Sequence, residues 1–211
     1  MSDRDSAGRE LGHPLDSGMA EAMITSTKAR AVVLVEGSSD RAALEALATR
    51  RGRDLEAEGI SILPIGGATN IGHYLGLLGP GGLGIQLAGL CDIGEEDDFR
   101  IGLARTGVAS NLTRETMEAL GFFVCVLDLE DELIRSLGAA SVEHVVEDQG
   151  DLGSFRIFQR QPAQRGRPVD AQLRRFMGTR SGRKINYARL LVEALDLTQV
   201  PRPLDGVLAH V

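Results

Sequence analysis

Four short apolar runs, at residues 31–35, 60–65, 85–91 and 122–127, are separated by stretches with the spacing of amphipathic helices. That alternation limits the fold more than any other feature. Runs of this length without polar alternation belong to strands buried on both faces, and such strands build parallel sheets covered by helices. Residues 40–51 place Ala43, Leu44, Leu47 and Ala48 on one helical face, with Gly52 as a stop. Further helices are expected over 69–78, 99–105 and 113–120, and another from 129 to Gly138. The predicted fold is α/β: an open, mostly parallel sheet of about four strands flanked by helices.

Past residue 140 the pattern is helical only. Ser141 and Ser154 are read as helix caps, Pro168 as a first-turn residue before a stop at Gly178, and Ser181 as the start of a last helix to about 195. The expected organisation is a flexible arm at 1–28 with a short helix near 19–27, an α/β core at 29–140, and a helical, basic extension at 141–211 packed on that core. The first 18 residues are polar and charged, unlike a secretory signal. No apolar run approaches the roughly 18 residues of a membrane span. Cys91 and Cys125 lie in apolar runs without CxxC spacing, which points to reduced, buried thiols and a cytoplasmic protein with no membrane partner.

Three of the four strand-like runs end in an acid: Glu36, Asp92 and Asp128. The carboxyl ends of the strands in an open α/β sheet form its ligand crevice, so these acids gather at one rim. Asp40, one helical turn beyond Glu36, and Glu130, just past Asp128, join them. Five converging carboxylates repel one another unless a cation lies between them. Hard oxygen donors suit Mg²⁺ or Mn²⁺ rather than zinc. His73 falls on a predicted helix surface, and His13, His144 and His210 lack metal-ligand spacing.

Net charge is −7, which by itself disfavours a nucleic-acid partner, but the charge is unevenly spread. Residues 156–189 hold ten basic residues against one acid, Asp170, a net +9 that leaves −16 for the remainder. Within it, Arg165, Arg167, Arg174, Arg175, Arg180 and Arg183 are candidates to follow a DNA phosphate backbone without reading sequence. With no tryptophan and two tyrosines, base stacking has few candidates.

The segment Val35-Glu36-Gly37-x-x-Asp40-x-x-Ala43-Leu44 resembles the first motif of the TOPRIM domain, shared by topoisomerases, primases and certain nucleases. The ordered set resembles the TOPRIM half of OLD-family (overcoming lysogenization defect) ATP-dependent endonucleases. Gly66-Gly67-Ala-Thr-Asn70 follows the second strand, and Asp92 ends the third. Asp128-Leu129-Glu130-Asp131-Glu132 comes later, and Gly182-Arg183-Lys184 opens the last helix. The resemblance spans about residues 30–195 and implies a Mg²⁺- or Mn²⁺-dependent DNA endonuclease or nickase. It assigns Glu36, Asp40 and Asp92 to one ion, and Asp128 and Glu130, with Glu95, to a second. Lys184 would neutralise charge in the transition state, with Arg180 and Arg183 as competitors. Gly66, Gly67 and Asn70 would form a loop of close approach to nucleic acid, although a plain turn explains them equally.

Two departures stand out. The family's Asp-x-Asp after the third strand is here Asp92-Ile93-Gly94, so Glu95 or Glu96 must supply the missing carboxylate. No GxxxxGK[ST] sequence is present, so coupling to ATP would need a separate ATPase subunit. Two other readings stay open: a non-cleaving module that binds nucleic acid or a partner ATPase, and a receiver-like domain with a phosphorylatable Asp92 or Asp128. Oligomeric state is not legible.

Overall fold

The computed structural model describes residues 29–107, 112–180 and 182–211. The expected arm, its short helix and the Ser181 cap lie outside the described residues. The sheet has four strands, β1 (Ala31–Val35), β2 (Ile60–Pro64), β3 (Gln86–Cys91) and β4 (Phe122–Val124), in the order β2-β1-β3-β4. All three pairings are parallel.

Each strand is apolar on both sides because each side has its own core. Ala31, Val33 and Val35 of β1 face one cluster, with Ile60, Ile62, Ala88, Leu90 and Phe123. Val32 and Leu34 face the other, with Leu63, Cys91 and Phe122. The first cluster is covered by α1 (Ser38–Arg50) and by helices of the C-terminal half. The second is covered by α2 (Ile71–Leu78), α3 (Glu96–Arg105) and α4 (Arg114–Ala119). Burying a side chain of Val or Leu size contributes about 1.5–3 kcal/mol, so this two-sided burial is the main stabilising term. On β3, Gly89 is required by packing, since a Cβ there would lie 2.6 Å from the ring of Phe122.

The remaining helices are α5 (Leu129–Leu137), α6 (Ala139–Asp148), α7 (Leu152–Gln159), α8 (Val169–Met177), α9 (Arg183–Ala194) and α10 (Arg202–His210). Val142, Val146, Phe155, Leu173, Phe176 and Leu191 join the same cluster as β1, so these helices share its core. Helix α9 runs alongside α1 in the same direction. At their far ends Arg50 donates to the carbonyls of Val192 (2.8 Å) and Leu195 (2.6 Å). Both N-termini therefore point to the carboxyl rim of the sheet.

Four local expectations are corrected. Strand β4 stops at Val124, so Asp128 is the N-cap of α5 rather than a strand end. Ser141 lies inside α6, which starts after Gly138; that residue's φ of +76° turns the chain sharply between α5 and α6. Ser154 lies inside α7, which follows Asp151. Helix α10 was not expected, since the last helix was placed to about residue 195. A proline in the first turn lacks only a donor that would be unpaired there anyway, and Leu204, Val207 and Leu208 supply the buried stripe.

Candidate metal centre

The chain winds from β1 outward to β2, then returns to lay β3 on the other side of β1. The connections on the two sides of β1 diverge, which opens a crevice beyond the carboxyl ends of β1 and β3. Glu36 follows β1 and Asp92 follows β3, so the two acids flank this switch point. One turn of 3₁₀ helix, Ile93–Glu95, curls back so that the Asp92 N–H donates to Glu95 Oε2 (3.3 Å). Glu36, Asp92 and Glu95 each present an oxygen within 4.8 Å of the other two. Glu95 thus joins the cluster from three residues past Asp92. Glu96 does not, because Arg114 (2.5 Å) and Arg100 (2.8 Å) hold its carboxylate.

Asp40 lies in the first turn of α1, 8% exposed, and its Oδ2 accepts from the Gly37 N–H at 2.9 Å. Glu130, in the first turn of α5, is 2% exposed. Its Oε2 is 3.3 Å from Lys184 Nζ, and its buried Oε1 has no hydrogen-bond partner among the described residues. Asp128 caps α5 by accepting from the Asp131 N–H (2.9 Å), and its other oxygen accepts from Arg174 Nε (2.5 Å). The Ile93 N–H donates to the Leu127 carbonyl (3.3 Å), tying the loop of Asp92 to that of Asp128. Glu132 holds the latter loop by accepting from the Val126 N–H (2.7 Å).

The protonation balance reflects this crowding. Burial, then the charges of Asp40, Asp128, Glu95 and Glu36, push Asp92 up to about 8. Glu95 rises to about 7 through burial and a hydrogen bond shared with Glu36. Asp40 rises to about 6 because burial outweighs the Gly37 N–H and the Lys184 charge. Glu130 rises to about 7, chiefly by burial, with Lys184 opposing. Burial works against the Lys184 ammonium, yet Glu130, Asp40 and Asp92 together hold it above its ordinary value. Burial and mutual repulsion that raise four neighbouring carboxyls are the pattern expected of an acidic cluster short of positive charge. Oxygen donors in this number, with an orphaned buried carboxylate oxygen beside them, fit Mg²⁺ or Mn²⁺. Burial drives the Cys91 and Cys125 thiols up, so neither supplies a thiolate for a softer metal.

Two neighbours in the last helix part company. Successive helical residues point about 100° apart. Lys184 therefore faces the carboxylates while Arg183 turns into the α7–α8 core. Arg183 is 9% exposed, lies 4.2 Å from the Phe176 ring centroid and pairs with Asp151 (3.1 Å). Its expected place on the phosphate-facing surface is corrected accordingly: it is a buried ion-pair partner. Arg180 is exposed and has no carboxylate contact among the described residues, whereas Lys184 pairs with Glu130.

Of the other basic candidates, Arg165 and Arg167 are exposed and donate to the carbonyls of Arg160 (3.0 Å) and Ala163 (2.9 Å). No acid among the described residues forms an ion pair with Arg165, Arg167, Arg175 or Arg180, while Arg174 is engaged by Asp128. That Arg174–Asp128 pair escaped the sequence reading; 46 residues separate the partners, and no spacing signals it. Gly66 and Gly67 have φ of +70° and +116°, and Asn70 Nδ2 donates to the Ile65 carbonyl (2.9 Å). Asn70 thus ties the loop closed. A cavity of about 280 Å³ between α2 and α3 includes His73 and Arg105 but none of the clustered carboxylates.

A switch-point crevice in a parallel sheet, rimmed by acids after β1 and β3, is the arrangement expected of a TOPRIM domain. Residues 29–93 match the domain described as "Overcoming lysogenization defect protein-like, TOPRIM domain". The chain is also similar to the C-terminal region of the OLD protein of Xanthomonas campestris pv. campestris. That similarity has 26% identity over 87% of this chain and 92% of the other, with a TM-score of 0.65. The C-terminal region of the Burkholderia pseudomallei OLD protein shares the fold, with 21% identity over 86% and 96% of the two chains and a TM-score of 0.66. No curated protein matches the chain. The protein carries a TOPRIM domain resembling that of OLD proteins. No helix among the described residues is long and apolar enough to cross a membrane.

Proposed function

We propose that this chain hydrolyses the nucleic-acid backbone as a Mg²⁺- or Mn²⁺-dependent DNA endonuclease or nickase of OLD-like TOPRIM type, acting in the cytoplasm. The observation that carries this reading is the approach of Glu36, Asp92 and Glu95 to within 4.8 Å at the switch point. Glu36, Asp40, Asp92 and Glu95 would hold one ion, and Asp128 and Glu130 a second. Such ions, when bound, activate water and neutralise the oxygens on both sides of an in-line displacement at phosphorus.

The chain's own residues supply the rest. Lys184, partly buried beside Glu130, holds a fixed positive charge at the rim, suited to charge that develops on a phosphoryl group. The Gly37 N–H fixes Asp40, and the Asp92 N–H fixes Glu95, so neither acid needs to reorganise. Arg165, Arg167, Arg175 and Arg180 have charges free for phosphates, which orients a backbone without reading bases. Any coupling to ATP hydrolysis would come through a partner ATPase subunit.

Plasmid nicking with Mg²⁺, Mn²⁺ or EDTA tests the reading. Wild type is expected to nick only with a divalent ion, and Glu36→Ala and Asp92→Ala to be inactive. Equal background from all three proteins would remove the enzyme reading.

A second reading, a TOPRIM module that binds nucleic acid or an ATPase without cutting, is favoured by Gly94 in the Asp-x-Asp position and by Arg174 on Asp128. Salt-sensitive DNA binding without cleavage in any divalent ion would decide for it.

A further inference from the structure

Arg174 stands between the acidic centre and the basic face. It lies on α8 beside Arg175, which has no acidic partner among the described residues. Its Nε is 2.5 Å from Asp128 Oδ2, while Oδ1 is committed to the cap of α5. The partners differ in freedom. The Asp128 side chain is 15% exposed and tethered at both oxygens, whereas that of Arg174 is 41% exposed. Half-exposed ion pairs are weak, and a guanidinium binds phosphate with the same fork geometry it offers a carboxylate.

Resting on the nuclease reading, we propose that Arg174 is the resting counter-cation of Asp128 and is drawn off it by a backbone phosphate, so that nucleic acid and divalent cation bind this side of the centre cooperatively. The guanidinium and a metal ion compete for the same oxygen, Asp128 Oδ2. Glu130, close by, keeps Oε1 buried and without a hydrogen-bond partner among the described residues. A cation arriving while Arg174 is in place meets an Asp128 already neutralised by Arg174 and a Glu130 already paired with Lys184. Once a phosphate takes Arg174, both carboxylates are available. By reciprocity the ion then strengthens backbone binding by the same factor. The residue thereby makes assembly of the full centre conditional on substrate.

The test is Mn²⁺ binding to the full chain, followed by calorimetry and by electron paramagnetic resonance of free Mn²⁺. It is run with and without a duplex carrying non-cleavable phosphorothioate linkages. In wild type, the duplex is expected to tighten the weaker Mn²⁺ site about tenfold, within the usual range of coupling between sites. Arg174→Gln is expected to show that tighter site without duplex and to gain nothing more when duplex is added. Arg174→Lys, which keeps the charge, behaves like wild type, and circular-dichroism melts confirm that both variants fold. Two Mn²⁺ sites that are the same in wild type and Arg174→Gln, with the same response to duplex, overturn the role of Arg174 and leave the nuclease reading standing. Absence of Mn²⁺ binding in every protein overturns both.

Discussion

Lys184 Nζ lies 3.3 Å from Oε2 of Glu130, a carboxylate that is 2% exposed and whose other oxygen has no hydrogen-bond partner among the described residues. The pair joins the start of α9 to the start of α5 across the acidic rim. Lys184 is the nearest fixed cation to the most deeply buried acid of the site.

Removing that cation leaves a buried carboxylate uncompensated. Lys184→Ala is expected to cost about 1–3 kcal/mol at pH 8, the range for an unsatisfied buried group. The cost shrinks toward pH 5, where Glu130 takes up a proton. Glu130→Gln removes the charge instead and is expected to leave stability unchanged or higher. Urea denaturation at the two pH values measures both, and a pH-independent loss in Lys184→Ala would contradict the assignment.

Stability of the metal-free chain has a defined sign with pH. Asp40, Glu95, Glu130 and Asp92 are raised to about 6, 7, 7 and 8. Between roughly pH 4 and pH 8 the folded chain therefore binds more protons than the unfolded chain. Stability must fall as pH rises through that window, by about 1.4 kcal/mol per pH unit for each excess proton. Mn²⁺ competes with those protons, so its stabilising effect should grow with pH. Thermal unfolding from pH 5 to pH 9, with EDTA or Mn²⁺, checks both slopes.

Basic residues of one segment should separate into two behaviours. Arg183→Ala breaks a buried pair with Asp151 and is expected to cost about 3 kcal/mol without altering the salt dependence of DNA binding. Arg175→Ala and Arg165→Ala should leave stability within about 0.5 kcal/mol of wild type, as is usual for surface changes. Each should lower the salt slope of binding by about one per lost phosphate contact. Parallel melts and fluorescence-anisotropy titrations separate the two groups.

Gly94 can be filled. A Cβ there meets nothing within 4 Å, so Gly94→Asp restores the Asp-x-Asp spacing without a clash. The variant is expected to melt lower in EDTA, because a further acid joins the cluster, and to bind Mn²⁺ several-fold more tightly. Calorimetry reads the affinity; an unchanged value would mean that Glu95 already fills the position.

Much of this protein was legible along the chain. Strands buried on both faces leave continuous apolar runs such as Ala31–Val35, and Glu36 and Asp92 stand directly after two of them. Asp40 and Glu130 follow from helix starts. Local patterns mark ends less well: β4 stops at Val124, short of the apolar run, and the proline-led helix α10 had no expected counterpart. Side-chain direction is not a property of spacing. Adjacent Arg183 and Lys184 look equivalent in sequence and diverge only because α9 is docked with one face on the α7–α8 core.

The sequence by itself determined the α/β alternation, the rim on which the acids gather and the charge separation between the two halves, because these depend on periodicity and composition. Only the tertiary structure decided which residues meet there. Glu95 rather than Glu96 completes the cluster, Lys184 rather than Arg183 faces it, and Arg174 sits on Asp128. Each outcome depends on the strand order β2-β1-β3-β4 and on α8 and α9 packing against the site from far along the chain. Contacts of that range are set by how the buried surfaces fit together, and no local pattern encodes them.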